Sequence, residues 1–200
     1  VNLAAIRNLG LPFWLAGSSA DRLKEALSLG AAGVQVGTAF AFCEESGLAP
    51  AYKRSVLAQC ANGEISLRTD SRASPTGMPF KVVDEPTTVS NPAVYEQRER
   101  KCDLGYLRQP YQKPDGGVGF RCPAEPVEDA EGRKCLCNGL AATIGLGQLI
   151  TEGIEPAIIT AGDALHDLHR FLTDGKLSYQ ATDVLRFIMG ETEIPEPSPA

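Results

Sequence analysis

Two short turns hold the first chemistry in this 200-residue sequence. Ala16-Gly17-Ser18 follows one apolar run, and Gln35-Val36-Gly37-Thr38 ends the next. Where a strand gives way to a helix, unpaired backbone N–H groups point outward, and the helix dipole adds partial positive charge. Ser18, Ser19 and Thr38 add hydroxyl donors. Two such turns on successive strands can grip one phosphate from two sides; taken singly, each is also an ordinary tight turn, where Gly and Ser are common for conformational reasons. Cys102, Cys122, Cys135 and Cys137 form a second group, spaced C-x19-C-x12-C-x-C. Thiolates one residue apart can reach a single ion, and a segment with little core needs a staple, so a structural metal (zinc or an iron–sulfur cluster) is one reading. The spacing lacks paired C-x2-C knuckles and matches no familiar iron–sulfur run, so four unligated thiols are the other. Disulfides are disfavoured in a reducing compartment. Cys43 and Cys60 read as small buried apolar residues. His166 and His169 are either a metal or base pair or, with one packed and one in solvent, structural.

The elements that must position these groups follow from periodicity. Phe13–Ala16 is a short apolar run expected to be a strand buried on both faces. Ser18 and Asp21 have the spacing of a capping box. Leu23, Ala26, Leu27 and Gly30 recur at helical spacing, with Gly30 suited to a left-handed stop. Gly33–Val36 is the next strand, making a βαβ unit with a right-handed crossover. Pro50 opens a helix to about Ala61 whose buried side is Tyr52, Val56, Leu57 and Cys60. Beyond Gly63 the chain reads as irregular, with Phe80–Val83 a strand candidate. Asn91-Pro92 caps a helix to about Lys101. Lys113–Gly117 is a hairpin turn between Tyr106–Tyr111 and Val118–Arg121. Helices are expected over Leu136 to about Ile150, Gly162–Thr173 (sharing Leu165, Leu168, His169 and Leu172 on one face) and Thr182–Met189. Residues 191–200 read as a disordered tail.

With these residues in view, the sequence resembles a family. Ala16-Gly17-Ser18, the run GAAGVQVGTAF from Gly30 to Phe40, Arg68–Val83 and Lys134–Gln148 are similar to the flavin-dependent nitronate monooxygenases, also called 2-nitropropane dioxygenases. One departure is Ser18, where the family usually has a second Gly. The resemblance implies an α/β fold: residues 1–62 as the last two βα units of an FMN-binding (β/α)8 TIM barrel, and residues 63–190 as an irregular, mainly helical extension that contains the cysteines. It implies FMN as cofactor, with its phosphate at Gly17, Ser18, Gln35, Val36, Gly37 and Thr38. It implies an oxidoreductase that converts an alkyl nitronate and O2 to a carbonyl compound and nitrite. The family's catalytic His lies upstream of Val1, so the sequence reads as the C-terminal fragment of a longer enzyme, inactive alone. An FMN-dependent enoyl-acyl-carrier-protein reductase, with a carrier protein as partner, is the alternative within enzymes. A non-catalytic interaction module stapled by metal at the cysteines is the alternative outside them.

Composition narrows the partners. The net charge is −6, and Lys and Arg are scattered apart from Arg98, Arg100 and Lys101, expected on one short helix, so nucleic-acid binding has no basic patch to rest on. No apolar run approaches the roughly 20 residues of a membrane helix. A cytoplasmic protein acting on a small molecule is the expectation.

Overall fold

β1 (Trp14–Ala16) and β2 (Gly33–Gln35) pair in parallel, with Trp14 opposite Gly33 and Ala16 opposite Gln35. The computed structural model describes residues 2–17, 23–74, 76–99, 101–122, 134–173 and 175–191. The expected capping box of Ser18 and Asp21, and the tail from residue 192 on, lie outside them. The helix between the strands, α2 (Leu23–Ser28), buries Ala26 and stops where the Ala31 N–H reaches back to the Ala26 carbonyl while Gly30 takes a φ of 84°. Only Gly adopts that conformation without strain, as its position in the sequence suggested. The expected burial of β1 on both faces is not found: Trp14 is 58% exposed. β1 meets β2 along one edge, and among the described residues no strand pairs with the other.

The chain divides into two compact units. Unit 1 contains α1 (Leu3–Arg7), the βαβ pair, α3 (Thr38–Ala41), most of α4 (Pro50–Asn62) and the segment that starts at Gly162. Its core is built from Ala39, Phe42, Val56, Leu57 and Cys60 on one side of the sequence and Leu165, Leu168, Phe171, Tyr179 and Val184 on the other. The helix expected over Gly162–Thr173 is a 3-10 helix, Asp163–Phe171. Its period of three explains a correction: Leu165, Leu168 and Phe171 are buried, whereas His169 is exposed. The Phe171 ring packs on Tyr179 at 5.0 Å and edge-on to Phe187 of α7 (Ala181–Met189) at 5.6 Å.

Unit 2 is built on an antiparallel hairpin, β3 (Leu67–Asp70) with β4 (Phe80–Val83). Residues 157–161 run along the outside of β4, where the Val83 N–H donates to Ile159 and the Ala161 N–H to Lys81. Ala73, Val82, Val89, Tyr95, Leu136 and Ile158 form the core between these lines, α5 (Pro92–Gln97) and α6 (Leu136–Thr143). β5 (Gln109–Gln112) and β6 (Val118–Arg121) make the expected hairpin around Gly116, and β7 (Leu149–Ile150) with β8 (Gly153–Ile154) makes another. Among the described residues, 63–190 carry short strand pairs as well as helices.

Two helices end earlier than their patterns implied. α5 stops at Gln97 because Arg98 turns extended and drives its guanidinium onto buried Glu155, so Arg98 and Lys101 are not on a common helix. α6 stops at Thr143, two residues before Gly145 takes a φ of 80°. Among the described residues no helix is long and apolar enough to cross a membrane.

Candidate functional site

Because Ala16 sits opposite Gln35, the residues that leave the two strands emerge at the same end of the pair. Gly17, Gln35, Val36, Gly37 and Thr38 line one cavity of about 250 Å3 there. Ser18, the sixth residue expected at this site, lies outside the described residues. Gly17 holds a φ of 80°, and a Cβ added at Gly17 or Gly37 would meet nothing within 4 Å, so both backbones face open space. That is far above the roughly 10–15 Å3 that one water needs on the same measure, and is room for a phosphate group. Ala16 and Ala39 complete this side of the wall.

The remaining wall comes from the far end of the sequence. Gly162, Asp163 and Ala164, the entrance to the 3-10 helix, line the same cavity. The Gly162 N–H donates to Thr38 Oγ1 at 2.8 Å. Behind the turn, the Tyr179 hydroxyl donates to the Ala39 carbonyl at 2.6 Å, and burial pushes its pKa up. The Lys53 ammonium donates to the Cys43, Glu44 and Ser46 carbonyls at 3.0, 2.9 and 3.1 Å, fixing the loop that follows α3. The turn is thus held from several directions before any ligand arrives. Among the described residues that line it, Asp163 carries a charge and none is Lys or Arg.

Gly162–Ala164 were not singled out from sequence. A signal was there: Pro156–Leu165 (PAIITAGDAL) repeats the plan of Pro12–Leu23, an apolar run, Ala-Gly, then a helix.

The cysteines are placed differently. Cys43 and Cys60 are buried in unit 1 as expected, the Cys60 thiol donating to the Leu165 carbonyl at 3.4 Å. Burial pushes the Cys60 thiol up to about 11. Cys122 and Cys135 are buried, Cys102 and Cys137 half-buried, and none of the six is in a disulfide. Burial raises the Cys137 pKa, and the neighbouring Cys122 and Cys102 raise it further; Cys135 is pushed to about 11 by burial first, with Cys102 again contributing. Cys137 thus has Cys122 and Cys102 as neighbours, and Cys135 has Cys102. Among the described residues, however, no three Cys, His, Asp or Glu side chains are gathered so as to hold a metal ion.

The loop of Cys102 is held by polar contacts. The Gly105 N–H donates to Cys102 Sγ at 3.3 Å. The Gln148 side chain takes Lys101 O, Asp103 N and Glu155 Oε2, at 2.7, 3.1 and 2.9 Å. His166 and His169 are both exposed, with His169 Nδ1 donating to the His166 carbonyl at 2.9 Å, so the expectation that one packs is not met.

No protein-family model, curated protein or solved structure matches this chain.

Proposed function

We propose that this chain supplies the phosphate-binding end of an FMN site in an oxidoreductase of the nitronate monooxygenase type. The observation that carries the reading is the cavity shared by Gly17 and Gly37–Thr38 at one end of a parallel strand pair. The residues present fit a phosphate ester: two glycine backbones without Cβ groups in the way, and one hydroxyl already anchored by Gly162. Exposed Trp14, Leu27 and Leu29 around the strand pair support a barrel setting, since parallel strands are ordinarily covered on both faces. When bound, FMN supplies the electron-accepting and O2 chemistry. The part of these residues is to fix the phosphate and so set the reach of the ring toward an alkyl nitronate. Thr38 presents its hydroxyl, and the Gly17 and Gly37 turns let the backbone approach closely.

Titration of FMN against riboflavin separates this reading from a fortuitous cleft. FMN is expected to bind the 200-residue chain weakly, too weakly to be retained through purification, and riboflavin, lacking the phosphate, to bind at least tenfold more weakly still, the size of a lost charge-assisted hydrogen bond. Equal affinity for both would remove the phosphate site. Nitrite release from propyl-2-nitronate is expected from the chain only in the context of a full barrel, not from these residues alone.

A further inference from the structure

The Gly162 N–H bond to Thr38 joins residues 124 positions apart and terminates on a side chain of the phosphate cavity. A threonine hydroxyl has one proton to give and two lone pairs. At Thr38 one lone pair is taken by the Gly162 N–H, and among the described residues that is the contact Oγ1 makes. The proton is thereby left to point away from Gly162. We propose that Gly162 is a positioning residue: by donating to Thr38 Oγ1 it commits the Thr38 hydroxyl to donate into the cavity, where it meets an oxygen of a phosphate monoester. The inference rests on the reading of that cavity as a phosphate site.

Two further observations make the orientation matter. The Gly162 φ of −92° is open to any residue, so backbone strain does not require glycine there. The close approach disfavours a side chain instead: a Cβ on Gly162 would lie 3.2 Å from Thr38 Oγ1, tighter than ordinary contact. In addition, Asp163 is among the described residues that line the cavity. A hydroxyl that pointed its lone pairs inward would repel a dianion.

The test is a set of titrations of the full 200-residue chain with inorganic phosphate and with FMN, followed by amide NMR. Thr38→Val, which keeps the shape and removes the hydroxyl, is expected to weaken phosphate binding about tenfold or more, and Thr38→Ser to stay within about threefold. Gly162→Ala is expected to weaken it comparably in the wild-type background and not further in Thr38→Val, because residues that act through one bond are not additive. Hydrogen exchange of the Gly162 amide supplies a readout that does not depend on the alanine variant folding: slow in wild type and Thr38→Ser, fast in Thr38→Val. An additive Gly162→Ala effect, an unchanged affinity in Thr38→Val, or a Gly162 amide equally protected in all three overturns the proposal. If phosphate binds and FMN does not, the flavin reading fails while the double-mutant result still decides the role of Gly162. If neither binds, both fall.

Discussion

Asp70 is a buried carboxylate whose neighbours make it tolerable. Burial alone would push its pKa up. Against that, Lys134 Nζ lies 2.5 Å away, the Arg72 N–H donates at 2.8 Å and Arg68 at 3.2 Å, and together they hold it below its ordinary value. A depressed folded pKa means the group contributes stability above its unfolded pKa of about 3.9, and loses that contribution as pH falls through the folded value. Asp70→Asn strands the Lys134 ammonium, itself largely buried, and is expected to cost about 3 kcal/mol at pH 7. Urea midpoints at pH 7 and pH 3 check this: the gap between wild type and variant should shrink in acid, and a constant gap would mean the carboxylate charge is not what matters. Thiols give a second residue-scale expectation. With pKa values pushed to about 11, Cys60 and Cys135 are about one part in a thousand thiolate at pH 8. Iodoacetamide followed by mass spectrometry should label these two last, and early labelling of either would show that its burial is not maintained in solution.

At the scale of elements, Gly139 shows propensity losing to packing. Alanine is the better helix former by about 1 kcal/mol. Here, though, a Cβ would come within 2.6 Å of Ile158 Cγ2, and Ile158 is fully buried with nowhere to retreat. The same glycine's carbonyl accepts from Ile158 N and Thr143 Oγ1 at 3.0 and 2.9 Å, so the strand-like segment lies against the helix backbone itself. Overpacking of this kind costs about 1–3 kcal/mol, and Gly139→Ala should lower the urea midpoint; a raised midpoint would show that α6 can shift away. Read from sequence alone, that glycine only weakened the case for a helix. What was legible was local: the Lys113–Gly117 turn, the Pro50 and Asn91-Pro92 helix starts, and the Gly17 and Gly37 turns each carry their cause within a few residues. β3 was missed because Leu67–Asp70 has no alternation of its own and is held by β4 and by Arg68, which bridges Asp70, Asp84 and the Ser90 carbonyl. The 3-10 helix passed as an α-helix because periods of three and 3.6 agree over the first turn and diverge only at His169 and Phe171. Half of the candidate site was legible for the same reason. Gly162 was not, since no pattern near it encodes a bond to Thr38.

At the scale of the whole molecule, unit 1 is assembled from distant parts of the chain, and that makes a truncation decisive. The segment from Gly162 on brings Leu165, Leu168, Phe171, Tyr179 and Val184 into its core, each at most 8% exposed. At about 1.5–3 kcal/mol for each large apolar side chain buried, these five contribute about 8–15 kcal/mol. That is the size of a domain's entire net stability. Polar ties go with them: Gly162 to Thr38, Tyr179 to Ala39 and to the Glu44 N–H, and the Ala181 N–H to the Glu45 carboxylate. A chain ending at residue 161 is therefore expected to lose unit 1 altogether rather than to keep a weakened phosphate site. Amide exchange across Trp14–Gln35 and α4 should become fast in the truncated chain, and phosphate binding should vanish with it. Protection retained in β1, β2 and α4 after truncation would mean that the βαβ unit folds without the returning segment, and that residues 162–191 decorate the site instead of building it.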